Sequence, residues 1–263
     1  MHEGIYIAAS GAFKQEHKLE VIANNLANMG TTGFKRDSLA FREMIPPFTE
    51  TAQLSASINP QPTAFQSDPR VSYVGITDLY TDGSNGTLRQ TGNTLDLALE
   101  GKGFFVVDSP QGQRFTRNGN FGLSGDGTLI TQEGYKVLGK DGKPIKVDSQ
   151  EGNLSINQSG EISVSNGKQV TPVGDLQLVT FGDLKKLAKE GNGLFKIADT
   201  SVKKITAKEV SVQQGFLETS NVNPIEEMTN MITTMRAFEA YQKIIQSIDE
   251  ADEQAVNAIG RLA

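Results

Sequence analysis

The feature that most constrains this chain is a pair of apolar stripes, one at each end. Ile5, Ala8, Ala12, Gln15, Leu19, Ile22, Leu26 and Met29 recur at alternating spacings of three and four residues. Ile225, Met228, Ile232, Met235, Phe238, Gln242, Ile245, Ile248 and Ala255 form a similar stripe near the other end. This period lays apolar side chains along one face of a helix, and each face needs a partner to cover it. The simplest arrangement packs the first and last helices side by side, closing the chain at its base. Ends committed to packing, within one chain or between chains, point to an assembly module more than a catalyst.

Between the stripes the pattern changes. Residues 31–85 read as an extended connecting arm. Leu39, Phe41, Met44 and Ile45 form a short element that Pro46-Pro47 ends, and residues 49–69 are rich in Ser, Thr, Gln, Asn and Pro without periodicity. Such a stretch reads as extended or ordered only on assembly. Alternation returns over residues 71–79. From residue 86 the signal is all-β: Leu95 to Leu99 and Gln113 to Thr116 alternate, and Phe104-Phe105-Val106-Val107 is a short buried run. Asn118-Gly119, Asp126-Gly127, Glu133-Gly134, Asp141-Gly142, Ser159-Gly160 and Asn166-Gly167 mark turns, and the Asn-Gly and Asp-Gly pairs suit type I′ hairpins. Leu97, Leu99, Phe105, Val107, Phe115, Phe121, Leu129, Val137, Leu154, Ile156, Leu176, Leu178 and Val179 are the expected inner face of the strands. One short helix is predicted over residues 182–190, with Leu184 and Leu187 on one side.

The predicted fold is mainly β with terminal α-helices. A discontinuous helical pair is formed by both chain ends, with extended arms and an inserted, irregular antiparallel β domain. The corresponding divisions are an N-terminal assembly helix over 1–30, the arm over 31–85, the β domain over 86–210, a return connector over 211–223 and a C-terminal assembly helix over 224–263. Met29-Gly30-Thr31-Thr32-Gly33 stops the first helix, and Phe34 anchors the exit of the chain. Asn24, Asn25 and Asn28 have two readings of equal weight: caps that loosen the helix end, or hydrogen-bonding groups between subunits. Pro224 after Asn223 starts the last helix, and Glu226-Glu227 suit its positive end. Met228, Met231, Met235 and Phe238 then form a stripe that an isolated helical pair leaves partly exposed, and exposed apolar surface predicts association.

Composition removes several classes of function. The net charge of −6 comes from 25 basic and 31 acidic residues without a long run of either sign, which disfavours a nucleic-acid binder. Lys35-Arg36 and Lys185-Lys186 read as solvated surface pairs. The chain has no cysteine, so disulfides, thiolate chemistry and Cys-ligated metals are out. His2 and His17 lack a metal-ligand spacing. Asp126-Gly127, Asp141-Gly142 and the Asp82 to Gly86 cluster lack the alternating carboxylates of a calcium loop. No nucleophile elbow, phosphate loop or dinucleotide fingerprint occurs. The acidic residues leave a secreted all-β hydrolase as a formal alternative, with no pair of carboxylates singled out. No cofactor, catalytic residue or metal site is expected. No continuous apolar signal or transmembrane stretch appears, which on sequence physics alone reads as cytoplasmic unless a dedicated export route applies.

Four motifs carry a resemblance. Ile22-Ala23-Asn24-Asn25-Leu26-Ala27-Asn28 with Thr31-Thr32-Gly33-Phe34-Lys35-Arg36 resembles the N-terminal signature of bacterial flagellar rod and hook proteins. Gly215-Phe216-Leu217-Glu218-Thr219-Ser220-Asn221-Val222-Asn223, continuing through Glu226-Glu227-Met228, resembles the C-terminal one. Gly101 to Val107 and Phe115 to Phe121 resemble the opening of the family's β domain. The resemblance implies a noncatalytic axial subunit of the flagellar basal-body rod, exported unfolded by the flagellar type III apparatus without a cleaved signal peptide. It implies helical assembly around the export channel, with the rod spanning the periplasm and passing torque toward the hook. Implied partners are copies of the chain, neighbouring rod subunits and the export apparatus, with no nucleic acid and no small-molecule substrate. Gly4 to Gly11, the length and Asn192-Gly193-Leu194-Phe195 most resemble the proximal-rod member, and the distal-rod member is next. The expected assembly residues are Ile5, Ala8, Ala12, Leu19, Ile22, Asn25, Leu26, Phe34, Met228, Met235, Phe238, Ile245 and Ile248.

Overall fold

A computed structural model describes residues 2–44, 73–147, 152–166, 169–182, 184, 187–198, 205–206 and 210–260. The chain divides into two compact units. One comprises Met1–Asn24, Leu39–Leu79 and Ile225–Ala263; the other comprises Asn25–Ser38 and Tyr80–Pro224. We call them the helical unit and the β unit. The non-periodic segment 49–69 lies outside the described residues.

Helix α1 spans His2–Ala27 and helix α2 spans Pro224–Gly260. Gly4 lies against Ile248 and Gly11 against Tyr241, so residue numbers rise along one helix as they fall along the other, and the pair is antiparallel. After α1 the chain unwinds through successive turns, in which the amides of Asn28, Met29 and Thr31 donate to the carbonyls of Asn25, Leu26 and Asn28. Gly33, at φ +68°, turns the backbone away from the helix. Strands β1 (Asp37–Met44) and β2 (Tyr73–Thr81) pair as a two-stranded ribbon.

The remaining strands follow in order. They are β3 (Leu88–Gln90), β4 (Leu97–Glu100), β5 (Phe104–Ser109), β6 (Gly112–Thr116), β7 (Phe121–Leu123), β8 (Leu129–Thr131), β9 (Lys136–Val137) and β10 (Asn153–Ile156). Then come β11 (Glu161–Ser165), β12 (Val170–Asp175), β13 (Leu178–Thr180), β14 (Leu187–Gly191), β15 (Leu194–Ile197), β16 (Ile205–Thr206), β17 (Ser211–Gln214) and β18 (Phe216–Glu218). The largest sheet runs β14-β15-β6-β5-β9-β8-β7, with β13 also on β5 and β16 on β13; β10-β11-β12 form a separate meander. The late strands return to the early ones: β17 pairs antiparallel with β4, and β18 with β3. That return brings the two ends of the β unit together.

Strand β5 explains why its sequence reads as a continuous apolar run instead of an alternation. Phe105 and Val107 enter one core with Leu97, Leu99, Phe121, Leu129 and Val137, while Phe104 and Val106 enter a second with Phe115, Val179, Phe181 and Phe195. A strand covered on both faces needs apolar residues at every position. Phe105 meets Phe121 edge-to-face at 5.0 Å, and Phe115 meets Phe181 at 4.9 Å. Of the thirteen inner-face residues predicted, all are buried except Leu154, which is half-buried and packs against the first core.

Two local expectations are corrected. Residues 187–191 form β14, paired with β15, and not the end of a helix. The helix-favouring Lys-Leu-Ala-Lys-Glu composition is overridden by the ladder and by the burial of Leu187 in the second core. The turns also differ. Neither Asn118 nor Gly119 has positive φ, and Gly127 and Gly142 have it without Asp126 and Asp141, so these Asn-Gly and Asp-Gly pairs are not type I′ turns. Gly134 and Gly160 resemble Gly127 and Gly142 in having positive φ after a residue that does not. The amides of Gly127, Gly134, Gly142 and Gly160 each close a turn onto the residue three before: Ser124, Thr131, Gly139 and Asn157. Asp126, Asp141 and Asn157 stabilise three of them by accepting backbone N–H bonds two residues on. Asn192 and Gly193, at φ 49° and 68°, have the pair of positive φ angles that a type I′ turn needs, and they join β14 to β15 where Gly191 faces Leu194. Gly167 lies outside the described residues.

Candidate functional site

The most heavily engineered place in the β unit is a buried ionic junction. Glu218, at the end of β18, is 1% exposed. Its Oε1 accepts from Lys35 Nζ at 2.7 Å and from the Gly86 amide at 2.8 Å, and its Oε2 accepts from Arg117 Nε. Arg117 is itself 2% exposed. Its Nη2 donates to the carbonyls of Leu99 at 2.7 Å and Gly101 at 2.6 Å and to Asn85 Oδ1 at 3.2 Å, while its Nη1 donates to the Gly103 carbonyl. Lys35 Nζ also reaches the Ser84 carbonyl at 2.7 Å. Two cations thus share one carboxylate, and backbone carbonyls take up the remaining donors. Burial holds the Lys35 pKa below its ordinary value despite the opposing pull of Glu218, and Arg117 adds to the lowering.

The junction gathers segments that are far apart in sequence. Lys35 and Glu218 are 183 residues apart, and Arg117 and Glu218 are 101. Backbone contacts tighten the same knot, with the Gly33 amide donating to the Glu218 carbonyl at 2.8 Å. A Cβ on Gly33 would sit 2.5 Å from the Arg117 carbonyl carbon, so only glycine allows the chain to pass there. Asn221 accepts from the Arg36 amide at 2.7 Å and donates to the Asp82 carbonyl at 3.2 Å and Ser84 Oγ at 3.0 Å. One amide side chain therefore joins the chain leaving the first helix, the loop before β3 and the segment leading into the last helix.

A second knot lies at Asp37. Asn25, 1% exposed, brackets that residue's backbone: its Nδ2 donates to the Asp37 carbonyl and its Oδ1 accepts from the Asp37 amide, both at 2.9 Å. The Asp37 carboxylate accepts from Thr81 Oγ1 at 2.8 Å and from Lys189 Nζ at 2.7 Å. Lys189 also donates to the Lys35 carbonyl and lies 4.1 Å from the centre of the Phe34 ring. Burial lowers its pKa, with Asp37 opposing. The β14 strand that the sequence pattern missed is thus the element that delivers Lys189 to this knot.

The structure places the expected assembly residues in different surroundings. Ala8, Ile22, Asn25 and Phe34 are buried; Ile5, Ala12, Leu19, Leu26, Phe238, Ile245 and Ile248 are half-buried; Met228 and Met235 are exposed. Asn25 and Phe34 belong to the β unit and are occupied there. Exposed large apolar residues of α2 include Ile225 at 78%, Met228 at 48%, Ile232 at 54% and Met235 at 54% in its first half, with Ile244 and Val256 further along. The first four follow a 3-4-3 spacing along one face of the helix. Lys35, read from sequence as a solvated half of a basic pair, is instead 3% exposed within the junction. Arg117, Glu218 and Asn221 were visible only as parts of motifs. Nothing in their local pattern distinguishes a buried charge from a surface one, because the partner lies more than a hundred residues away.

For catalysis the arrangement offers little. The junction charges are consumed by one another and by backbone groups. His17 is exposed and pairs with Glu20 at 2.9 Å on its own helix. Among the described residues no cluster of three His, Asp or Glu side chains is placed to hold a metal ion.

Comparison with known proteins follows the same geography. Three family models match: flagella basal body rod protein over residues 5–35, flagellar hook protein FlgE/F/G D1 domain over 98–178, and flagellar basal body rod FlgEFG protein C-terminal over 213–258. The flagellar basal-body rod protein FlgF of Caulobacter vibrioides is 33% identical over 263 residues, covering 100% of both chains. FlgF of Mesorhizobium japonicum is 31% identical over 260 residues, 99% of each. The flagellar basal-body rod protein FlgG of Bacillus subtilis is 34% identical over 264 residues, covering 98% of this chain and 99% of the relative.

Proposed function

The chain belongs to the flagellar basal-body rod protein family, whose members are structural subunits, and from that premise we propose that it occupies the proximal part of the rod. In this reading the chain leaves the cytoplasm unfolded through the flagellar export apparatus and assembles helically around the export channel in the periplasm. There it transmits torque toward the hook. Its partners are copies of itself and neighbouring rod subunits.

The observation that carries the assembly reading is the contrast between a β unit whose junction charges are satisfied within the chain and a helix that leaves Ile225, Met228, Ile232 and Met235 in water. An apolar stripe of that length on one helix face is what a helical neighbour covers. The proximal position draws on the likeness of Gly4 to Gly11 and of Asn192-Gly193-Leu194-Phe195 to the proximal-rod member. The distal position is the competing reading, since relatives named FlgF and FlgG match at 31–34% identity alike.

Deletion of the gene followed by imaging of basal bodies tests both levels. A rod subunit predicts loss of the filament and of the rod beyond its own position. Absence of any distal rod supports the proximal assignment, whereas a short proximal stub moves the chain to the distal position. Complete, correctly joined rods would remove it from the rod altogether.

A further inference from the structure

Helix α1 contains two glycines, Gly4 and Gly11, two helical turns apart on one face. Glycine inside a helix costs about 1 kcal/mol relative to alanine, so its placement calls for a local reason. Here both glycines are contact points with α2. A Cβ at Gly11 would lie 2.5 Å from both Cε1 and Cζ of Tyr241, and one at Gly4 would lie 3.5 Å from Ile248 Cδ1. The first position leaves no room for a side chain, and the second is an ordinary contact. Tyr241 therefore lies over bare backbone, and Gly11 is buried beneath it.

The two contacts share one register, because Tyr241 and Ile248 are also two turns apart and face the two glycines in reverse order. The seam of the helix pair thus includes a notch filled by an aromatic ring, with Ile248 continuing the contact at Gly4. Four apolar side chains of α2 stay outside it: Ile225, Met228, Ile232 and Met235 are all about half exposed or more. Whichever α2 residue faces α1 decides which residues face outward. A register fixed at Tyr241 therefore also fixes the face that the helix presents.

We propose that Gly11 and Tyr241 are the register-setting pair of the terminal helices. The Gly11 notch selects Tyr241 against its neighbours on α2 and so fixes the outward orientation of the Ile225, Met228, Ile232 and Met235 stripe. This deepens the assembly reading, since the notch governs how the interface is displayed without being part of it.

The chain has no cysteine, so a disulfide can report the register without interference. The experiment uses the full-length purified chain carrying Gly4→Cys and Ile248→Cys, oxidised mildly and scored by non-reducing electrophoresis with mass-spectrometric mapping. Efficient cross-linking is expected, falling at least fivefold when Gly11→Val is added and recovering at least half of the loss when Tyr241→Ala is added to that variant. Hydrogen exchange in Phe104–Ser109, a strand of the β unit, checks that the rest of the chain is folded in each variant. Failure of the two cysteines to join in the Gly11 background would refute the register itself. Unchanged cross-linking with Gly11→Val, or no recovery with Tyr241→Ala, would refute the notch. None of these results depends on rods being formed, so the rod position stands or falls separately.

Discussion

The two units of this molecule handle their difficult groups in opposite ways. At the junction of the β unit the costly groups are charges, and the chain brings the partners that satisfy them: Glu218 serves two cations and an amide, and Arg117 uses carbonyls of Leu99, Gly101 and Gly103. In the helical unit the unfavourable groups are apolar, and α2 leaves them in water. The difference teaches where each unit's folding information ends. The β unit closes on itself through pairs more than a hundred residues apart, whereas the helical unit has a seam within the chain and a second face without a cover.

The largest effect should come from removing the one carboxylate of the junction. Glu218→Gln keeps the shape and the hydrogen-bond acceptor but leaves Lys35 and Arg117 as two buried like charges. Breaking a buried pair in this way costs about 3–5 kcal/mol. Urea denaturation followed by far-UV circular dichroism measures it, since the chain has no tryptophan. Adding Lys35→Met to Glu218→Gln leaves a single buried cation and should recover part of the loss. A change below about 1 kcal/mol for Glu218→Gln would mean that the junction is wetter than its burial indicates, in which case the contrast with the helical unit fails.

Asn221→Ala comes next. It orphans the Arg36 amide and removes the link to Asp82 and Ser84, at a cost of about 1–3 kcal/mol. Faster exchange of the Arg36 amide, with little change at Val106 in the core of the sheet, would localise the damage to the knot. Uniform loss of protection across the sheet would show instead that the knot and the cores unfold as one.

A smaller effect is expected from pH. The pKa of Lys35 and that of Lys189 are held below the ordinary 10.5 by burial, and Glu218 and Asp37 offset this only in part. Between the lowered values and 10.5 the unfolded chain binds more protons than the folded one, so these two groups make stability rise with pH across that window. Their penalty is fully present below the folded pKa and disappears above the unfolded one. Lys35→Met with Lys189→Met should flatten this contribution relative to the parent chain in denaturation midpoints measured from pH 8 to 10.5. An unchanged slope would show that neither ammonium group is held neutral-leaning by the fold.

What the sequence made legible was whatever depends on local period. Thirteen inner-face residues were readable from alternation and apolar runs, and both helices from their stripes, with Pro224 marking one start. The junction was illegible because Lys35 next to Arg36 looks like any surface pair, and no local rule connects it to Glu218. Residues 187–191 misled for a related reason: their composition favours helix, and only pairing with Leu194–Ile197 and the reach of Lys189 to Asp37 make them a strand. Turn chemistry was readable in position but not in type, since Asp126 and Asp141 act through their side chains on following amides while keeping negative φ. The stripes announced helices, but nothing in their period told that Gly11 and Tyr241 would form the seam.

The smallest expected change in stability comes from the most exposed stripe, and it separates the two units most directly. Met235 is 54% exposed, so Met235→Glu places a charge where water already reaches and should alter the unfolding free energy of the isolated chain by no more than about 0.5 kcal/mol. If neighbouring subunits cover that face, the same carboxylate would be buried without a partner in the rod, a cost of several kcal/mol repeated at every copy. The variant should therefore be stable and exported yet absent from purified basal bodies. Ile22→Glu gives the control from the buried side, because Ile22 is 4% exposed in the single chain and its replacement should lower stability before assembly is attempted. Normal incorporation of Met235→Glu would mean that the exposed stripe stays in water in the finished rod, and the interface would then have to be sought on another face of the chain.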